Sequence, residues 1–255
     1  MTDMSVLYYF LGIEVKQEQK RISISQHSYA KELLKRFNMV GSSHVSTPME
    51  FGSKFLKNTS EDDVNPSLYR SLVGSLMYLT ATRPNIMFSM SVISRFMENP
   101  KKSHWEAGKH ILRCINGTLN HGLIYTRTED ANLRGFRDCD YGRCIYDSKS
   151  TTGYVSDLVS RAISWKKKNP NVVALSSVEA KYISLSMVGC QALWLSGILV
   201  TLGKYQINAS KLLCDNKYAV ALSKKPVLHG KSKHIRIKYH FRELLANKDV
   251  EVCFL

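Results

Sequence analysis

The stretch Ala174-Leu175-Ser176-Ser177-Val178-Glu179-Ala180-Lys181-Tyr182-Ile183-Ser184-Leu185 decides the fold. Ser176-Ser177 opens a helix, and Val178, Tyr182, Leu185, Val188, Ala192, Leu195 and Leu199 carry it at steps of three and four to about Leu202. A helix patterned this way buries one face. Three short β-rich runs precede it, LRGFRD from Leu133, TGYVSDLV from Thr152 and AISWKKK from Ala162, as in a meander. KLLCD then reads as a strand, NKYAVALSK as a short helix and VEVCFL as a last strand. The order β-β-β-α-β-α-α-β predicts an α/β (α+β) domain, a mixed sheet with helices on its faces. HIRIKYHF alternates like a strand through Ile235, Ile237, Tyr239 and Phe241, and fits a helix through Ile237, Phe241 and Leu245. Periodicity leaves both open.

Upstream, residues 7 to 26 read as a β-hairpin with the polar EQKR between its strands, and 27 to 38 as a helix with Tyr29, Leu33, Leu34 and Phe37 along one side. From Val40 to Pro66, Gly41, Pro48 and Gly52 interrupt any period, which predicts a long open connection. Tyr69, Val73, Leu76 and Leu79 then begin a helical block. Pro84 starts a second helix through Phe96, Asn99-Pro100 breaks it, and HWEAGKHILRCINGT supplies a third that ends near Gly117. The polar segment from Thr126 to Ala131 marks a domain boundary.

A chain of 255 residues with 44% apolar content builds one large domain or two ordinary ones, and is too apolar for a disordered chain. Its net charge of +15 favours polyanionic partners, because each neutralised phosphate releases counterions. The six cysteines form no C-x-x-C pair and the eight histidines lack ligand spacing with them, so the cysteines read as core residues of a reducing compartment. No signal peptide is visible and no apolar run reaches the roughly 18 residues that span a bilayer. The expectation is a soluble intracellular protein with no membrane partner and no small-molecule substrate.

Asp138, Glu179 and Asp215 are acids in apolar settings, two at strand ends and one in the first turn of the long helix. Carboxylates so placed can converge on divalent cations, since magnesium prefers hard oxygen ligands. Each has a plainer reading. Ser176-x-x-Glu179 is a capping box, Asp215-Asn216 caps the next helix, and Asp138 sits in a turn beside Gly142. The basic residues are more clustered. Between Lys217 and Arg242 there is no acid, and Lys217, Lys231, Lys233, Arg236 and Lys238 join Lys166 and Lys167 beside Trp165 as candidate contacts to a sugar-phosphate backbone.

YFLGIEV, YRSLVGSLMYLTATRPNIMFSMSVISRFM, AISWKKK, ALSSVEAKYISL, CDNKYAVALSKKPV and KHIRIKYHF together resemble, in order, the end of a copia-type retrotransposon Pol polyprotein. The resemblance implies that residues 1–52 match the end of the reverse transcriptase palm with its primer-grip hairpin. Residues 53–128 then match the helical thumb and connection, and 129–255 an RNase H-like domain. It implies that Asp138, Glu179 and Asp215 are metal-binding catalytic acids, holding two Mg²⁺ or Mn²⁺ ions that hydrolyse RNA in an RNA–DNA hybrid. The hybrid would be read by shape and 2′-hydroxyls, and the protein would be cytoplasmic, in a particle, or nuclear. It also favours a helix for KHIRIKYHF.

The sequence departs from that family. No paired-aspartate turn precedes Tyr8, and the family's fourth RNase H carboxylate falls beyond Leu255, so the expectation is a truncated chain without polymerase activity. Arg83-Pro84-Asn85 stands for Arg-Pro-Asp, and Asp140-Tyr141-Gly142-Arg143 is looser than the family's Asp-Trp turn. Glu179-Ala180-Lys181-Tyr182 stands where the family reads E-A-E-Y. Two helical residues differ by about 200°, so Lys181 is expected to point away from a site containing Glu179. If the acid belonged at the second position, Lys181 would abolish the site. Two readings follow: an RNA–DNA hybrid nuclease, or a non-catalytic nucleic-acid-binding remnant.

Overall fold

A computed structural model describes residues 7–53, 55–57, 59–126, 132–140, 151–158, 161–168, 176–206, 208–224 and 241–255, without the side chains of 138–140, 151, 168 and 242. Two compact units divide it, Met1–Arg127 and Thr128–Leu255.

In the first unit, β1 (Tyr9–Phe10), β2 (Ile13–Gln17), β3 (Arg21–Ser25) and β4 (Leu123–Thr126) form an antiparallel sheet in that order. The β1–β2 turn places Leu11 at φ 44° and Gly12 at φ 72°, the paired left-handed residues of a tight hairpin. Strand β4 was not expected from the sequence. It pairs Leu123 with Ile24 and Thr126 with Arg21 across about a hundred positions of chain. Gly122 is needed there, because a Cβ would lie 2.2 Å from the Ile24 carbonyl oxygen.

Helices α1 (His27–Arg36), α2 (Pro66–Leu79), α3 (Met87–Ile93) and α4 (Lys102–Asn116) build the rest, with 3-10 turns Pro84–Ile86 and Ser94–Phe96 flanking α3. Asn65 caps α2 through its side-chain oxygen, which accepts from the Ser67 and Leu68 amides, and Pro66 at the first position loses no bond. One apolar core runs through Leu33, Leu34, Tyr69, Leu76, Ile93, Leu112 and Ile115, so α1 and the helical block are packed as one body.

The connection from Val40 to Pro66 is not open. It lies along α4 and is tied at successive turns. Asn116 Nδ2 donates to the Ser42 carbonyl (2.8 Å), His110 Nε2 meets the Thr47 carbonyl (3.0 Å), and His104 Nε2 meets that of Leu56 (3.0 Å). The Ser103 amide donates to Glu61 Oε2 (2.8 Å), and Asp63 bridges to Lys101. Polar side chains on one helix replace the regular pairing that the connection's sequence cannot make.

In the second unit, strands β5 (Leu133–Asp140), β6 (Thr151–Leu158), β7 (Arg161–Lys168), β8 (Ser210–Cys214) and β9 (Val250–Phe254) form one sheet in the order β7-β6-β5-β8-β9. β5, β6 and β7 are the predicted antiparallel meander, while β8 pairs parallel to both β5 and β9. This is the mixed sheet with helices on its faces that the order of elements predicts. Helix α5 (Ser177–Thr201) packs on it, followed by α6 (Lys217–Lys224) and α7 (Phe241–Ala246). The HIRIKYHF segment lies outside the described residues apart from Phe241, which is buried at the start of α7.

Two devices seat α5. Gly135 on β5 lets the helix approach, since a Cβ there would stand 2.4 Å from Val188 Cγ1. Gly203 at φ 71° ends it, with Gly203 N donating to the Val200 carbonyl and Lys204 N to that of Leu199. By length and composition α5 is also apolar enough to cross a membrane, which corrects the expectation that no such run exists. Half of that window is buried in its own unit, as in a core helix.

Candidate functional site at the carboxyl ends of β5 and β8

Open α/β sheets present side chains for ligands at the carboxyl ends of parallel strands. Here β5 and β8 run side by side with Phe136 opposite Leu213, and two residues further along each chain stand Asp138 and Asp215. Asp138 faces Gly153 on β6, and Gly153 faces Lys167 on β7. Strand spacing therefore sets the Lys166–Lys167 edge roughly 10 Å from the Asp138 backbone. The Asp138 side chain lies outside the described residues.

The first turn of α5 reaches the same end. Ser176 is its N-cap, and the Glu179 amide donates to Ser176 Oγ at 3.1 Å, so the capping reading of this motif is correct for the backbone. The Glu179 side chain is nonetheless buried, at 8% exposure. A capping carboxylate in the first turn ordinarily stays in water, so burial sets this one apart.

At β8 the capping duty falls on Asn216, whose Oδ1 accepts from the Ala219 amide at 2.9 Å. Asp215 is thereby released from helix capping, and its carboxylate faces two cations. Oδ1 accepts from Arg137 Nη2 at 3.0 Å, and Oδ2 from Lys181 Nζ at 2.8 Å. The Arg137 side chain is 1% exposed, that of Lys181 18% and that of Asp215 57%. Partial burial works against ionising Asp215. The Lys181 hydrogen bond and the charges of Lys181 and Arg137 outweigh it and hold the carboxyl below its ordinary range. Arg137 Nη2 also reaches Cys214 Sγ at 2.9 Å, while its Nε and Nη1 are buried without a hydrogen-bond partner among the described residues.

The expectation that Lys181 points away from the acids is therefore corrected. The 200° argument describes Cβ directions, and a four-carbon stem is long enough to fold back across the first turn of the helix. Sequence reading also missed Arg137. The available signal was an arginine inside the otherwise strand-like LRGFRD, at the position whose neighbours Leu133 and Gly135 face α5.

Among the described side chains, the donor set as arranged does not fit a pair of divalent ions. Both Asp215 oxygens already accept from cationic donors. Among the described residues no group of three or more His, Cys, Asp or Glu side chains is placed to hold a metal. Of the basic residues, Lys166 is exposed on β7, and Lys217 is exposed with Nζ 5.1 Å from the Phe254 ring centroid. Lys231, Lys233, Arg236 and Lys238 lie outside the described residues.

Comparison with known proteins gives the class. The chain is 37% identical over 262 residues to the retrovirus-related Pol polyprotein from transposon TNT 1-94 of Nicotiana tabacum, a match covering 99% of this chain and 20% of the polyprotein. It is 33% identical over 196 residues to an uncharacterized mitochondrial protein of Arabidopsis thaliana, covering 77% of this chain and 81% of that protein. The chain belongs to one family with that mitochondrial protein, and its homologues include retrovirus-related Pol polyproteins of plant transposons. It spans about a fifth of the length of the TNT 1-94 polyprotein. A solved structure titled as a foamy viral protease-reverse transcriptase in complex with dsDNA aligns over 97% of this chain and 44% of its own, at 14% identity and a TM-score of 0.48. No protein-family model matches.

Proposed function

We propose that the chain is a segment of a copia-type reverse transcriptase and RNase H, and that its second unit engages an RNA–DNA hybrid. Residues 1–52 would be the end of the palm with its primer-grip hairpin, 53–128 the thumb and connection, and 129–255 the RNase H-like domain. The observation that carries this is the strand row Asp138–Gly153–Lys167, which sets a basic sheet edge beside the acid end of an RNase H-like sheet. Lys166, Lys167 and Lys217 contact phosphates, together with Lys231, Lys233, Arg236 and Lys238. Such contacts position a duplex without reading its bases. The 2′-hydroxyls and the shape of the minor groove give preference for a hybrid.

The inherited chemistry of this domain is metal-dependent hydrolysis at Asp138, Glu179 and Asp215, using Mg²⁺ or Mn²⁺. The two cations on Asp215 favour the second reading, binding without cleavage. Fluorescence anisotropy with a labelled hybrid, at a series of salt concentrations, tests the shared claim. Affinity is expected to fall linearly on a log–log plot, and a salt-independent or absent signal overturns it. Gel analysis of the same hybrid with and without Mg²⁺ separates the two readings. Cleavage that needs metal and disappears in Asp138→Asn decides for the nuclease. Intact hybrid at saturating protein decides for the binding module.

A further inference from the structure

We propose that the Lys181 ammonium is a built-in substitute for a divalent cation at Asp215, so that this acid end is assembled without metal and admits one only once Lys181 is neutralised. The proposal rests on the RNase H reading of the second unit and concerns how that site is set.

Three observations carry it. First, the two carboxylate oxygens of Asp215 are divided between two cations, Arg137 Nη2 at 3.0 Å and Lys181 Nζ at 2.8 Å. A metal ligand needs an oxygen lone pair directed at the ion, and here Oδ2 is directed at an ammonium. Second, Lys181 is drawn in. Its side chain keeps 18% of its exposure while the acid it meets keeps 57%. A lysine on a helix surface ordinarily extends into water, so this one is held by its charge. Third, Asn216 caps α6, so helix capping does not explain the place of Asp215.

Charge balance points the same way. On the RNase H reading Asp138, Glu179 and Asp215 bring three negative charges, and Arg137 and Lys181 offset two of them, so little charge is left to attract a divalent ion. Arg137 is buried and fixed from β5. Lys181 is the flexible partner, on the oxygen that faces the helix carrying Glu179. Neutralising Lys181 frees Oδ2 and leaves the local charge negative, the condition hard cations require.

The test is a Mn²⁺ titration of the full chain followed by electron paramagnetic resonance of free Mn²⁺, with thermal unfolding as a second readout. Wild type and Lys181→Arg are expected to show no saturable tight site. Lys181→Gln and Lys181→Ala are expected to gain one, on the order of tenfold tighter or more, and to rise in melting temperature with Mn²⁺. Lys181→Gln/Asp215→Asn loses the gain. Wild type binding Mn²⁺ as tightly as Lys181→Gln overturns the proposal, and so does a folded Lys181→Gln with no gain. If neither neutral variant folds, the wild-type and Lys181→Arg titrations decide alone: tight binding by either overturns it, and weak binding by both supports it. Hybrid anisotropy on the same samples keeps the two ideas apart. A gained Mn²⁺ site in a chain that does not bind hybrid sinks the proposed function and leaves this inference standing. Hybrid binding without the gain does the reverse.

Discussion

Helices α4 and α5 each cross the core of their own unit, yet they use polar side chains in opposite ways. On α4, Asn116, His110 and His104 end on backbone carbonyls of the connection from Val40 to Pro66. On α5, Lys181 and Gln191 end on side chains outside the helix, Asp215 just after β8 and Ser164 on β7. A bond to a backbone carbonyl fixes the path of a chain, because it holds the main chain itself in place. A bond between charged side chains fixes a charge state, and a charge state can be traded for a ligand. The first unit therefore reads as scaffold at its polar positions, and the second as site.

The largest expected effect breaks or upholds the scaffold half of this contrast. His104 is fully buried, stacks on Phe96 with centroids 3.8 Å apart, accepts from the Lys101 amide at Nδ1 and reaches Leu56 at Nε2. His104→Ala removes a packed ring and two hydrogen bonds, and is expected to cost about 3 kcal/mol in denaturant unfolding. A loss of a few tenths would show that the connection is not anchored through α4.

The same residue sets a pH dependence. Burial holds the His104 pKa below its ordinary value, against the Leu56 hydrogen bond and the Glu61 charge, which raise it. The unfolded chain then takes up the proton first as pH drops. The stability due to neutral His104 is complete above the unfolded pKa of about 6.5 and is lost as pH falls through the folded value. Melting temperatures of the chain are expected to decline from pH 7 to pH 5, with a shallower slope in His104→Gln. Equal slopes would remove His104 as the cause.

Two smaller effects probe the site half. Asn216→Ala is expected to cost about 1 kcal/mol as a lost N-cap, measured by chemical denaturation. A negligible cost would return the capping role to Asp215 and weaken the claim that this acid is free of capping duty. Lys181→Ala is expected to cost less than about 1 kcal/mol, since its partner carboxylate is more than half exposed and screened. A cost as large as that of His104→Ala would make Lys181 structural, like the polar residues of α4.

Much of this was legible in the sequence. The three-and-four spacing from Val178 to Leu199 marks α5 because helix burial repeats with the turn. Pro66 and Pro84 mark starts of helical segments for the same local reason. Strand β4 was not legible, since a four-residue strand has too little pattern and its partner β3 lies far away in sequence. The ties along α4 were hidden too, because histidines and an asparagine at helical spacing look like an exposed face until the connection is laid against them. Asp138, Glu179 and Asp215 were visible as acids in apolar contexts, whereas Arg137 and Lys181 were visible only as basic residues.

The sequence by itself determined the elements of the second unit, the order in which they come and the net positive charge that suits a polyanion, because periodicity and composition are local or additive. Only the tertiary structure decided which cation meets which acid. The parallel pairing of β5 with β8 brings Arg137 to one oxygen of Asp215, and the seating of α5 on Gly135 brings Lys181 to the other. Those distances join residues 78 and 34 positions apart, and no local rule reaches that far.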